Sequence, residues 1–263
     1  MPAEAHAVLG GTGAALLAAA RARPLHPIKS EIVEGGMAIS RPKSALLRFL
    51  YENSLSLVVF ILIVGTLAGQ FVTGRHDYND ELKEMGLAEL SAREYFGSGH
   101  FIEATFENWE SEFLQMGLYV LLTVWLRQKG SAESKKLYEP EEVDDKPRPH
   151  KKDAPWPVRV GGLALALYKH SLSLAFFGLF FVSLWLHAKG GAEVYSLEQV
   201  QHGKAAVGIW EYMGTSRFWF ESLQNWQSEF LSILSIVGLS IFLRQQGSPE
   251  SKPVDAAHSE TGR

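Results

Sequence analysis

Cysteine is absent from the 263 residues, which removes disulfides, thiolate metal sites and cysteine nucleophiles together. Nucleophilic triads, dinucleotide fingerprints and phosphate loops are missing too. Gly10-Gly11-Thr12-Gly13 lacks the Lys-Ser/Thr that completes a phosphate loop. Basic excess is lacking: the net charge is -4, and the basic central linker is balanced by acids, so no nucleic-acid partner is expected. The order of a secretory signal is absent as well, because the apolar run 8–20 is followed, not preceded, by Arg21 and Arg23. With these classes gone, no enzyme, cofactor or metal site is expected.

What is present is a duplication. Residues 51–135 recur as 168–252 at a constant offset of 117 with no gap. Asn108-Trp109-x-Ser111-Glu112-Phe113-Leu114 returns as Asn225-Trp226-x-Ser228-Glu229-Phe230-Leu231, and Arg127-Gln128-x-Gly130-Ser131 as Arg244-Gln245-x-Gly247-Ser248. Each copy carries two apolar segments joined by a polar stretch, so the repeat divides the chain into two like halves.

Residues 55–72 hold only Ser56, Thr66 and Gln70 as polar side chains, enough length to cross a hydrocarbon core. Residues 172–186 form the matching segment, with Lys169 and His170 placed to reach headgroups. Segments 113–126 and 230–243 are shorter. Counting from Trp109 and Trp226 extends each to about the length of a span, with an indole anchor at one end and Arg127 or Arg244 at the other. The expected fold is therefore an all-α integral membrane protein of four transmembrane helices, two tandem parallel repeats about a pseudo-two-fold axis along the membrane normal.

The boundaries read as a flexible extension 1–43, repeat 1 at 44–135, a charged Pro-rich linker 136–157, repeat 2 at 158–252 and a disordered tail 253–263. Met37 reads as an alternative start. Ser98 or Ser216 is expected to cap a helix starting near Phe101 or Phe218. Close packing is expected at Gly65, Gly69, Gly117, Ser232, Ser235 and Gly238. Lysines and arginines concentrate on one side of the spans, 6 in residues 1–48, 10 in 127–169 and 3 in 244–263, against 3 in each loop. That bias places both termini and the linker in the cytoplasm.

The runs Ser98-Gly99-His100-Phe101, residues 106–116, residues 124–135 and residues 214–222 resemble a family of uncharacterised bacterial four-span membrane proteins known as a domain of unknown function. The resemblance covers roughly residues 44–255 and implies a multi-pass protein of the bacterial inner (plasma) membrane. It implies no activity.

Glu112 and Glu229 sit one residue before an apolar span in both halves, and carboxylates at that depth are costly unless they face a bundle, water or a partner. With Asn108 and Asn225 one turn earlier they form the candidate polar site at the repeat interface. His100, Glu103 and Glu107 share a helix face, but the second copy has Arg217, Phe220 and Gln224 there, so a solvated face is expected rather than a metal site. Gln70 and His187 align and are expected to cross-bond between helices. The function expected is a non-enzymatic scaffold or interaction module, whose partners are the lipid bilayer and another membrane protein or a second copy of itself. The alternative is a small transporter or an ion or proton conductor built on Glu112 and Glu229.

Overall fold

The computed structural model describes residues 44–262; the expected N-terminal extension, 1–43, lies outside the described residues. Regular structure among the described residues is entirely helical, with no strand. The chain divides into two compact units, Met1–Phe60 and Ile61–Arg263. In the first, α1 (Ala45–Glu52) buries no residue and ends at Asn53, whose side-chain amide donates to the Phe49 carbonyl at 2.8 Å. Helix α2 (Ser54–Glu84) begins in this unit and continues into the second.

The second unit then runs through α3 (Ala92–Phe96), α4 (Gly99–Trp125), a 3-10 turn (Glu142–Asp144), α5 (Trp156–Val160), α6 (Gly162–Lys169), α7 (Ser171–Gln201), α8 (Ile209–Met213) and α9 (Ser216–Phe242). Helices α2 and α7 each have 31 residues and run several turns past the apolar stretches read in the sequence. They stop at glycine: Gly86 (φ 72°) and Gly203 (φ 73°) adopt the left-handed conformation that closes a helix at little steric cost. Leu87 N–H then donates to the Leu82 carbonyl at 2.8 Å, and Lys204 N–H to the Gln199 carbonyl at 2.9 Å.

Further fastenings recur 117 residues apart. The Asn79 side chain holds both the amide and the carbonyl of Leu90 (2.8 and 3.0 Å), and the Ser196 hydroxyl does the same for Val207 (3.0 and 3.0 Å). Glu94 accepts the Ser91 amide at 2.8 Å and Glu211 the Gly208 amide at 2.7 Å, which opens α3 and α8. Ser98 caps α4 and Thr215 caps α9, accepting from the Phe101 and Phe218 amides at 3.3 Å. Ser216, one of the two expected caps, is instead the first residue of its helix, because Thr215 is the residue aligned with Ser98.

Two small cores form on the loop side. One joins Tyr78, Leu82, Tyr95 and Phe101; the other joins Ala188, Ala192, Tyr212 and Phe218. Burial of each large ring contributes roughly 1.5–3 kcal/mol. Close approach occurs at glycines other than most of those expected. Gly65, Gly69 and Gly238 have open space where a Cβ would stand, Gly117 packs on Phe176 and Phe177, and the tightest crossing is Gly99 of α4 on Gly190 of α7.

Among the described residues, α2 and α7 are the two helices long and apolar enough to cross a membrane. The four-span reading does not carry over by that measure, because α4 and α9 spend their first halves on charged and polar residues, and their mainly apolar stretches, 113–126 and 230–243, are only 14 residues long and interrupted by Gln115 and Thr123 or by Ser232, Ser235 and Ser240. The most apolar stretch of α2 has no buried residue, and that of α7 is 22% buried.

Residues 253–262, where composition points to disorder, form turns. Lys252 is buried and donates to the carbonyls of Ala257, His258 and Glu260, and the Gly262 amide donates to the Ser131 carbonyl at 3.0 Å. One buried ammonium with three carbonyl acceptors organises this tail.

Candidate functional site

Helices α4 and α7 touch backbone to backbone. A Cβ on Gly190 would fall 2.6 Å from the backbone nitrogen of Glu103, and one on Gly99 2.7 Å from the Gly190 carbonyl oxygen, so only glycine fits on either side. This contact brings Glu103 beside His187, one turn before Gly190. Glu103, Glu107 and Glu110 follow at i, i+4 and i+7 and share one face of α4. Helices α8 and α9 bring Tyr212, Arg217, Glu221, Asn225 and Trp226 to the same place.

Every acid there is engaged. The fully buried Glu110 carboxylate holds His187 Nδ1 at 3.0 Å through one oxygen and accepts the Trp226 indole N–H at 3.2 Å through the other. The imidazole, also fully buried, stacks on the Phe218 ring with centroids 5.0 Å apart. Its Nε2 lies 3.6 Å from Glu221, an ion-pair approach too long for a hydrogen bond. Arg217 donates to Glu221 at 2.9 Å and forks onto both oxygens of Glu198 at 2.8 and 2.6 Å. Asn225 donates to Glu107 and, at 3.1 Å, to the Glu221 carbonyl.

The Tyr212 hydroxyl stands between Glu103 (3.1 Å) and Glu221. It has one proton to give, so a second proton is needed for both contacts to be hydrogen bonds. Glu103 supplies it: burial, reinforced by the Glu221 charge, pushes its carboxyl up to about 7, against the opposing pull of Arg217 and His187. Burial likewise raises Glu107. For Glu221 burial acts upward, but contacts with His187, Tyr212 and Arg217 outweigh it and hold the carboxyl below its ordinary value. Tyr212 is raised by burial and by its two carboxylates. Arg217 is raised because Glu198 and Glu221 outweigh its burial. Five carboxylates thus face two basic side chains.

The expectation of a solvated face at His100, Glu103 and Glu107 is overturned. Glu103 is buried, Glu107 is partly buried against α9, and His100 turns away to Tyr95 and Tyr78. A one-copy set of histidine and carboxylates exists after all, because Glu103, His187 and Glu221 bring ligand atoms within 4.8 Å of one another. Of the two residues expected to cross-bond between helices, His187 does so, to Glu110, whereas no cross-helix bond from the Gln70 side chain is found among the described residues.

The other sequence-derived residues fall as follows. Asn225 joins the cluster, whereas Asn108 is exposed and bonds the Ala104 carbonyl of its own helix at 2.9 Å. Glu112 is exposed and Glu229 half-buried. Between them Gln115 donates to the Glu229 carbonyl at 2.8 Å and to Ser232, its counterpart 117 residues on. Trp226 spends its indole N–H on Glu110, while Trp109 lies exposed against Phe106 and Phe113. Arg127 and Arg244 each cap the end of their own helix, donating to the carbonyls of Thr123, Val124 and Leu126 and of Ser240, Ile241 and Leu243.

Glu110, Tyr212 and Glu221 were not singled out by sequence reasoning. The signal that finds Glu110 and Glu221 is disagreement between the copies, as at Gln70 against His187, Glu103 against Phe220, Ala104 against Glu221 and Glu110 against Gln227; Tyr212, which matches Tyr95, carries no such signal. These departures are far apart in the chain and meet in space.

Neither a curated protein nor a solved structure matches the chain. Residues 46–263 match the family described as Domain of unknown function (DUF6766), and with most of its length matched the chain belongs to that family.

Proposed function

We propose that the chain is a multi-pass membrane protein of the bacterial inner membrane, a non-enzymatic scaffold whose two like-facing helical hairpins present an apolar surface to lipid or to a membrane partner. One observation carries this reading: polarity is inverted. Fully buried positions include Glu110 and His187, while Leu55 (78%), Ile61 (67%) and Leu234 (67%) are among the exposed ones. In water that arrangement wastes apolar area at roughly 25 cal/mol per Å²; in lipid it is the expected one. The exposed apolar faces of α4 and α9 (Leu122, Val124, Leu231, Leu239) favour four spans over two. The polar cluster ties α4, α7 and α9 together and acts as the internal frame of the scaffold.

The test is topology. Reporter fusions in the linker 136–157 and at the C terminus are expected to be active only in the cytoplasm, and fusions in the loops 85–91 and 202–208 only outside it. A two-span protein, with α4 and α9 on the membrane surface, places the linker on the same side as loop 85–91 and the C terminus on the same side as loop 202–208, and refutes the reading.

A second reading, conduction of protons or cations, is favoured by the packing of α4 on α9 beside Glu112 and Glu229, where Gln115 donates to the Glu229 carbonyl at 2.8 Å. Flux into liposomes that disappears in a Glu112→Gln, Glu229→Gln variant establishes it, and flux indistinguishable from protein-free liposomes removes it.

A further inference from the structure

We propose that Glu103, His187 and Glu221 form a binding site for one divalent first-row transition-metal ion of the Zn²⁺ or Mn²⁺ type. The inference does not depend on the scaffold role. Its first support is geometric: one ligand atom from each of α4, α7 and α9 converges within 4.8 Å of the other two, and a central ion with bonds of about 2.0–2.2 Å sits among them after small side-chain shifts.

The second support is His187 Nε2, which is buried, has no hydrogen-bond partner and points at this group. In the metal-free protein this nitrogen has only the 3.6 Å approach of Glu221, too long for a hydrogen bond, and a metal ion is a partner it accepts. The third is the far side of the ring. Nδ1 is held by Glu110, whose other oxygen is held by Trp226; a carboxylate on the distal nitrogen fixes the ring and strengthens the facing nitrogen as a ligand. Glu110 is therefore a positioning residue.

Charge and access agree. Five carboxylates and two basic groups leave a negative excess that a divalent ion offsets. Glu198 and Arg217, about one-third exposed, mark the way in from the loop side, and Glu221 itself reaches solvent slightly. One imidazole with two carboxylates suits Zn²⁺, Mn²⁺ or Fe²⁺ rather than Ca²⁺ or Mg²⁺. The aligned positions in the other half, Gln70, Phe220 and Ala104, supply no ligand set, so each chain is expected to bind a single ion.

The experiment uses full-length protein in detergent, stripped with chelator and dialysed against Zn²⁺, Mn²⁺, Co²⁺ or Mg²⁺. One Zn²⁺ or Mn²⁺ per chain is expected, with little Mg²⁺. Glu103→Gln and Glu221→Gln each weaken binding by about a hundredfold or more, Glu110→Gln by on the order of 10–100-fold, and Glu198→Gln leaves the stoichiometry at one. For variants that fail to fold, the X-ray absorption spectrum of the wild-type Co²⁺ form decides: nitrogen and oxygen ligands including one imidazole are expected. Absence of saturable binding, equal preference for Mg²⁺, binding indifferent to Glu103→Gln and Glu221→Gln, or a spectrum without imidazole each overturns the site.

Discussion

Tyr95 and Tyr212 stand 117 residues apart in nearly the same frame, and their surroundings differ. Each lies so close against a glycine of the preceding long helix, Gly74 or Gly191, that a Cβ there would overlap the phenol. Each packs on the phenylalanine just after a helix cap, Phe101 or Phe218. Around Tyr95 the partners are rings: its hydroxyl meets His100 Nδ1 at 3.0 Å, and that imidazole stacks on Tyr78 with centroids 4.5 Å apart. Burial holds Tyr95 up at about 12 and pushes His100 down, so both are neutral near pH 7. Around Tyr212 the partners are Glu103 and Glu221, with His187 and Arg217 behind them. One frame thus serves as plain packing in one place and as an ionisable centre in the other; the difference lies in a few side chains that leave the backbone unchanged.

The sharpest way to break this contrast is to remove Glu110. Glu110→Ala leaves His187 Nδ1 and the Trp226 indole N–H buried without their acceptor, and breaking a buried pair from one side costs about 3–5 kcal/mol. Thermal unfolding in detergent is expected to show the largest loss of any single substitution here.

Proton dependence separates the halves next. In metal-free protein the folded state keeps a proton on Glu103 up to about pH 7, whereas the unfolded chain releases it near the ordinary value of 4.5. The folded state binds more protons in between, so this contribution is full below about pH 4.5 and is lost as pH rises through about 7, at up to ~1.4 kcal/mol per unit. Glu107, also raised, acts with the same sign. Glu221 is lowered, so its contribution is present above the ordinary carboxylate value and fades only in more acid solution. Melting temperatures recorded from about pH 5 to about pH 8 should therefore fall, and Glu103→Gln should flatten most of the slope.

Removing each tyrosine hydroxyl compares the two environments directly. Tyr212→Phe takes the hydroxyl from between the Glu103 and Glu221 carboxyl groups, leaving both without that partner, and costs about 1–3 kcal/mol, while Tyr95→Phe removes one neutral contact and costs about 1 kcal/mol or less. Equal losses in urea unfolding would erase the distinction. The smallest effect belongs to Asn108→Ala. Its exposed side chain bonds only a carbonyl of its own helix, so a change within about 0.5 kcal/mol is expected from the same unfolding curves.

Much of the frame is legible in the residues. The helix pairs follow from apolar runs and their flanking anchors, the ends from glycines and small hydroxyls, and the like lengths of α2 with α7 and α4 with α9 from the fixed offset. The ionisable cluster is less so. Glu103 and Glu107 read as a wet helix face because α4 carries them outside any apolar stretch, and periodicity along one helix says nothing about what packs on it. Asn108 and Asn225 read as equals, yet one faces solvent and the other enters the cluster.

Sequence by itself carried the helices of the described residues, the repeat at an offset of 117 and two runs long and apolar enough to cross a membrane, because local hydrogen bonding, the offset and side-chain hydropathy are properties of the string. Tertiary structure decided which charges are buried and with whom. Glu110 and His187 are 77 positions apart, and Glu103 and Tyr212 are 109 apart. Only the glycine-on-glycine crossing of α4 and α7, with α9 laid against α4, brings them within hydrogen-bonding distance in a place from which water is excluded.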